Sequence, residues 1–181
     1  MSKRLIISQE LFQISISRLC FQLIENHDDF SNTVLIGLQP RGIYLLDRIN
    51  QHLGEQLTKT NITRGNLDVT FFRDDFGRRE TLPEASETEI DFIVEGKRVV
   101  LIDDVLYTGR TIRAGLDAIL AFGRPKNVEL LVLVNRKFSR QLPIEANYVG
   151  HMIDTLKTER VEVKWKEIDK KDEVWIETLN A

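Results

Sequence analysis

The run Val99-Val100-Leu101-Ile102-Asp103-Asp104-Val105-Leu106-Tyr107-Thr108-Gly109-Arg110-Thr111 admits few folds. Its four leading apolar residues, three of them β-branched, suit a strand covered on both faces, as in a parallel sheet. Two acids follow where that strand should end. In open α/β sheets ligands bind beyond the carboxyl ends of the strands, so Asp103 and Asp104 are expected in a crevice and not in the core. Thr108, Gly109 and Thr111 then offer hydroxyls and free backbone N–H groups at a helix N-terminus, a geometry that binds phosphate. Acids able to hold sugar hydroxyls or a metal, just ahead of a phosphate cradle, point to a sugar phosphate between them.

At 181 residues the chain suits one domain with a real core. Its apolar and charged fractions, 42% and 29%, are ordinary for a soluble globular protein. A net charge of −3 supplies no global attraction to nucleic acid or an anionic membrane, which leaves only a local basic patch for either. Lys3 and Arg4 precede the apolar run Leu5-Ile6-Ile7, but it stops at Ser8-Gln9-Glu10, too short for a signal peptide or a membrane span. The expected location is the cytoplasm. Cys20, the single cysteine, falls in a helical apolar pattern and reads as a buried, inert thiol. His27, His52 and His151 share no spacing that gathers them, so neither histidine catalysis nor metal ligation by histidine is expected.

Ser8 can cap a helix whose apolar residues Phe12, Ile16, Leu19, Cys20 and Leu23 recur at three- and four-residue steps, ending near His27. Thr33-Val34-Leu35-Ile36-Gly37-Leu38 is a short buried-strand pattern. Gln39-Pro40-Arg41-Gly42 follows at once, then an amphipathic helix through Ile43, Leu46, Ile49 and Leu53, which makes half of a βαβ unit. Residues 67–72 read as another strand. Residues 73–92 carry many charges and little apolar period, the mark of a lid or of disorder, and a lid is favoured. Residues 111–122 suit a helix stopped by Gly123 and Pro125, and 128–134 another buried strand. In the tail Val161, Val163 and Trp165 alternate with Glu162, Lys164 and Lys166, and Val174-Trp175-Ile176 follows a charged turn, an antiparallel hairpin pattern. The expectation is one α/β domain over residues 1–181: a parallel sheet flanked by helices, with a small β appendage.

The string from Leu101 to Thr111 resembles the phosphoribosyl pyrophosphate (PRPP) signature of type I phosphoribosyltransferases. Leu67-Asp68-Val69-Thr70-Phe71-Phe72-Arg73-Asp74-Asp75, Ala121-Phe122-Gly123-Arg124-Pro125, and Leu142-Pro143-Ile144 with Tyr148-Val149-Gly150 are similar to PyrR-type pyrimidine operon attenuators and uracil phosphoribosyltransferases. The likeness runs along nearly the whole chain. It implies the type I phosphoribosyltransferase fold, with 73–92 as a catalytic lid, 135–160 as a hood segment and a C-terminal β-hairpin. It implies conversion of uracil and PRPP to UMP and pyrophosphate by a homo-oligomer, with Mg²⁺ carried by PRPP near Asp103 and Asp104 and not held by protein side chains. Transferred residue by residue, Asp103 and Asp104 hold the ribose hydroxyls, and Leu106, Tyr107, Thr108, Gly109, Arg110 and Thr111 wrap the 5′-phosphate. Gln39, Pro40, Arg41 and Gly42 cradle pyrophosphate, Arg73 reaches it as the lid closes with Arg78 and Arg79 behind, and Val134, Asn135 and Arg136 wall the base. Two acids also suit a pocket in which an oxocarbenium-like sugar cation develops.

The chain departs from the family pattern at several positions. Gln39 and Pro40 stand where a Lys-Thr pair is common, which removes one positive charge and one N–H donor. The family carries a cis peptide at the bond that is Gln39–Pro40 here, and a tertiary amide accepts cis readily, so this bond is expected cis. Asn135 stands where relatives often carry aspartate. In the family's second role a basic face on the first helix and residues 142–150 holds an RNA hairpin. Arg18 and Arg140 fit that role, but Phe21, Glu145 and His151 replace basic or histidine residues, and Glu145 repels phosphate. Catalysis is thus the first expectation, and a UMP-responsive attenuator binding leader mRNA the second. Taken singly, these residues also have plainer readings: the acids as a solvated strand end, 39–42 as a turn, the charges of 73–79, Arg18 and Arg140 as ordinary surface. A receiver-like domain with Mg²⁺ between its acids ranks third, since it leaves the Thr108-Gly109-Arg110-Thr111 turn without a purpose.

Overall fold

The computed structural model describes residues 2–57, 60–74 and 85–179. Arg78, Arg79 and the part of the expected lid at 75–84 lie outside the described residues. In chain order the elements are β1 (Lys3–Ile7), α1 (Gln9–His27), β2 (Thr33–Leu38), α2 (Gly42–Gln56), β3 (Thr63–Leu67), β4 (Arg98–Leu106), α3 (Arg110–Ile119), β5 (Asn127–Arg136), β6 (Tyr148–Ile153), β7 (Glu159–Lys164), α4 (Lys166–Asp169) and β8 (Glu173–Thr178).

Five parallel strands in the order β3-β2-β4-β5-β6 form the main sheet, with β4 at its centre. Burial on both faces explains the unbroken apolar run: Val100 and Ile102 pack with Phe12 and Leu19 of α1 and Leu46 and Ile49 of α2, while Val99 and Leu101 pack with Ile112 and Ile119 of α3. Each such side chain contributes about 1.5–3 kcal/mol of burial, and the core is therefore two layers divided by one sheet.

The expected hairpin forms, with Val161 opposite Ile176 and Val163 opposite Val174 across antiparallel β7 and β8. It is larger than expected. Residues 3–7, expected only as a short apolar run, form β1 and add a third strand to β8, giving a sheet of order β1-β8-β7. Its inward residues Ile7, Val163, Trp165, Val174 and Ile176 merge with the core on the α1 and α2 side.

Three expectations need correcting. The strand placed at 67–72 lies earlier, at Thr63–Leu67, followed by a 3₁₀ turn at Thr70–Phe72. The Asp68 carboxylate accepts the Thr70 N–H at 2.7 Å and turns the chain there, while β3, an edge strand, needs few apolar residues. The helix after β4 ends at Ile119, its last residues 120–122 tightening to 3₁₀. Within 135–160, expected as hood, Tyr148–Ile153 is instead the fifth strand of the main sheet, locked by reciprocal bonds between Asn147 and the Leu130 backbone.

Candidate active site

Asp103 and Asp104 lie at the carboxyl end of the central strand and are 8% and 9% exposed. The backbone N–H of Asp104 donates to Asp103 Oδ1 at 2.9 Å, which turns the Asp103 carboxylate back against the strand. Burial pushes the Asp104 carboxyl up to about 6, against the pull of the Arg41 guanidinium and nearby N–H groups. Burial and the neighbouring charge of Asp104 hold Asp103 well above the usual range, with the Asp104 N–H and Arg73 opposing. Carboxylates perturbed in this way by burial and by each other often mark functional sites.

Two helix N-termini flank the acids. After β2 the chain turns through Gln39–Pro40, whose peptide bond is cis as expected, and Arg41 opens α2 with no side-chain cap. Gly42 presses against the end of β4 so closely that a Cβ would sit 2.3 Å from the Ile102 carbonyl oxygen. Backbone contact here is possible only for glycine. After β4, Leu106 is buried, Gly109 takes φ of 90°, and α3 begins at Arg110, again with no side-chain cap. The N-termini of α2 and α3 thus present first-turn amides beside Asp103 and Asp104, with that of Arg110 going to the Thr108 hydroxyl.

The arginines divide by what they touch. Arg41 donates from Nη1 to the Val163 carbonyl at 2.7 Å, so the terminal sheet braces the 39–42 loop. Arg73 is half-buried and acts on Asp103. Arg110 turns outward to Asp74 and Gln141, so its backbone, not its guanidinium, faces the turn. Thr108 gives its carbonyl to the N–H groups of Gln141 and Leu142, and its hydroxyl accepts the Arg110 N–H at 3.3 Å. Thr111 is half-buried in the first turn of α3.

The expected base wall is only partly available. Val134 is wholly buried in the core, and Arg136 is 5% exposed, donating to Thr155 and to the carbonyls of Leu156 and Glu159 and stacking 4.0 Å over the Tyr107 ring. Asn135 accepts from Arg140 at 2.5 Å. Tyr107, Arg136, Ser139 and Thr155 border a cavity of about 410 Å³ that connects the phosphate turn to the loop before β7. Sequence reasoning missed this use of Tyr107 and Arg136, because the groups that hold Arg136 lie about twenty residues further along.

The residues expected for RNA are both engaged. Arg18 is exposed on α1 and donates to the Val149 and Gly150 carbonyls of β6, beside the Ser15–His151 hydrogen bond of 2.5 Å. Arg140 donates to the Tyr107 carbonyl and lines a cavity of about 700 Å³ with Glu145 and Val149. Among the described residues no group of three or more His, Cys, Asp or Glu side chains could hold a metal, and no helix is long and apolar enough to cross a membrane.

Fold and site together define an α/β domain with an acidic, amide-rimmed crevice at the carboxyl edge of its parallel sheet. The chain belongs to the phosphoribosyl transferase domain family, whose model matches residues 6–168. It is 40% identical over 180 residues to the bifunctional protein pyrR of Enterococcus faecalis strain OG1RF, covering 99% of each chain. Over 178 residues it is 38% identical to the bifunctional protein PyrR of Bacillus subtilis strain 168, covering 96% of each. The crystal structure of Trypanosoma cruzi hypoxanthine phosphoribosyltransferase superposes with a TM-score of 0.73 at 13% identity, covering 98% of this chain and 97% of that one. At that identity the superposition speaks to the fold alone.

Proposed function

We propose that the chain transfers the phosphoribosyl group of PRPP to uracil, releasing UMP and pyrophosphate. The observation that carries the reading is the buried Asp103–Asp104 pair set between two uncapped helix N-termini. In this reading the two carboxylates accept the ribose hydroxyls, the turn at 108–111 takes the 5′-phosphate, and the N–H groups of Arg41 and Gly42 take pyrophosphate, since the Gln39 N–H goes to the Leu67 carbonyl and Pro40 has none. Arg41, pinned by Val163, and Arg73 balance the departing charge, which grows in the transition state and is stabilised most there. The uracil nitrogen attacks the anomeric carbon as its bond to pyrophosphate breaks, and no protein nucleophile is needed. Asp103 and Asp104 would face Mg²⁺ brought in on PRPP, and the ion would supply charge neutralisation for the leaving group. Asn135, Tyr107 and Arg136 border the base, with Val134 contributing backbone only.

Pyrophosphate release from PRPP, followed with uracil, guanine, hypoxanthine and orotate in turn, tests the reading. Uracil is expected to turn over fastest; turnover with none of the four removes the enzymatic claim.

A second reading has a specific support, since the relatives are named bifunctional. In it the same pocket senses UMP, and Arg18 and Arg140 contact leader mRNA. Glu145, whose charge acts on Arg140, works against phosphate there. A salt-dependent gel shift lost on Arg18→Ala supports this second role, and turnover without RNA retention excludes it. Self-association is proposed with the first reading, and sedimentation measures it.

A further inference from the structure

Trp165 ends the β7 run, and the hairpin alternation marks it only as an inward residue. It is completely buried. Its ring packs edge-on against Phe12 at 5.3 Å and tilts against Tyr44 at 5.8 Å. Its indole N–H has no hydrogen-bond partner among the described residues. A buried donor left unpaired is costly and asks for an acceptor.

β7 packs on β4, which carries Asp104, and the Asp104 carboxylate is the acceptor that the Trp165 N–H favours. The N–H lies near enough to favour the ionised carboxylate, yet the pair does not reach good hydrogen-bond geometry. Ile102 and Val105, which bracket the two acids, pack against the same cluster as Trp165. The backbone on both sides of the indole is pinned. Val163 gives its carbonyl to Arg41, the Trp165 backbone N–H goes to Asp169 at 3.0 Å, and the Lys166 backbone N–H goes to Asp172 at 2.9 Å. Arg48 on α2 holds Asp172 in turn at 3.0 Å. So α2 and the terminal sheet fix the donor, while Asp103 on its own strand and Arg41 before α2 are the charged groups that face Asp104.

We propose that Trp165 is a positioning residue for Asp104: its indole N–H closes on one carboxylate oxygen and leaves the other to hold substrate. The part played in turnover rests on the phosphoribosyl reading above; the contact itself does not. A neutral donor orients the carboxylate without cancelling its charge, as a second guanidinium would.

Two arms test this. The first uses the full chain without substrate. The indole N–H resonances of the two tryptophans are distinct, because Trp175 donates to Glu173 at 2.9 Å. Between about pH 4.5 and 8.5 the Trp165 resonance is expected to move downfield as Asp104 ionises, and Asp104→Asn is expected to freeze it. A resonance that stays fixed in the wild-type chain overturns the contact. The second arm replaces Trp165 by benzothienylalanine in a Trp175→Phe background, which keeps the ring shape and removes the N–H. The KM for PRPP is expected to rise about tenfold with little change in kcat or thermal midpoint. Trp165→Phe should share the KM effect, and an unchanged KM in the isosteric protein overturns the positioning role. If the wild-type chain turns over no base, the phosphoribosyl reading falls, and the resonance arm still decides the contact.

Discussion

Asp104 shows what the crevice does to a single group. Burial raises its carboxyl from 3.8 to about 6, so the folded chain binds this proton more tightly than the unfolded chain does. The sign follows: stability from this group is greatest at low pH, declines as pH rises from about 4 to 6, and above 6 the buried charge is a standing cost. Asp104→Asn is therefore expected to be more stable than the parent at pH 8, by on the order of 2 kcal/mol, with the difference vanishing near pH 4. Thermal denaturation at both pH values checks it. On the proposed reading the same variant should lose about a hundredfold in kcat/KM for PRPP, because the group that destabilises the fold would also be the one that holds the sugar. These acids were legible in the sequence, since charge at the end of a doubly buried run has nowhere else to go. Arg136 was legible as a residue of the base wall but its inward turn was not, because its partners at 155–159 are chosen by tertiary contact.

Helix α2 carries two glycines with opposite duties. A Cβ on Gly42 would meet the Ile102 carbonyl oxygen at 2.3 Å, a backbone atom that cannot yield without moving β4. Gly42→Ala is expected to cost about 2 kcal/mol or more in urea denaturation and to raise the KM for PRPP, because it forces the 39–42 loop away from the acids. Gly54 sits in the same helix with nothing within 4 Å of its would-be Cβ. Gly54→Ala is expected to stabilise by about 0.5–1 kcal/mol and to leave kinetics alone. The buried strands β2, β4 and β5 were readable because both faces demand apolar side chains. The edge strands were harder: β3 carries Thr63, Arg64 and Asn66, and β6 carries Gly150 and His151, so neither shows the pattern that burial imposes.

The chain brings both of its ends to one antiparallel sheet, and that sheet reaches the crevice through Val163 and Trp165. Hairpin alternation revealed β7 and β8, but local pattern does not say that β1 joins them or which face of the main sheet they cover. Removing residues 2–7 is expected to uncover the core around Ile7, shift Trp165 emission to the red, and lower turnover as the brace on Arg41 loosens. Emission spectra and steady-state rates of the shortened chain check this; unchanged emission with full activity contradicts it. The proposed chemistry requires that one crevice at the end of β4 take a phosphorylated pentose. A crystal structure of the chain soaked with UMP tests it most directly. Ribose hydroxyls are expected on Asp103 and Asp104 and phosphate on the amides of 108–111; UMP bound elsewhere, or an empty crevice at saturating UMP, contradicts the proposed site.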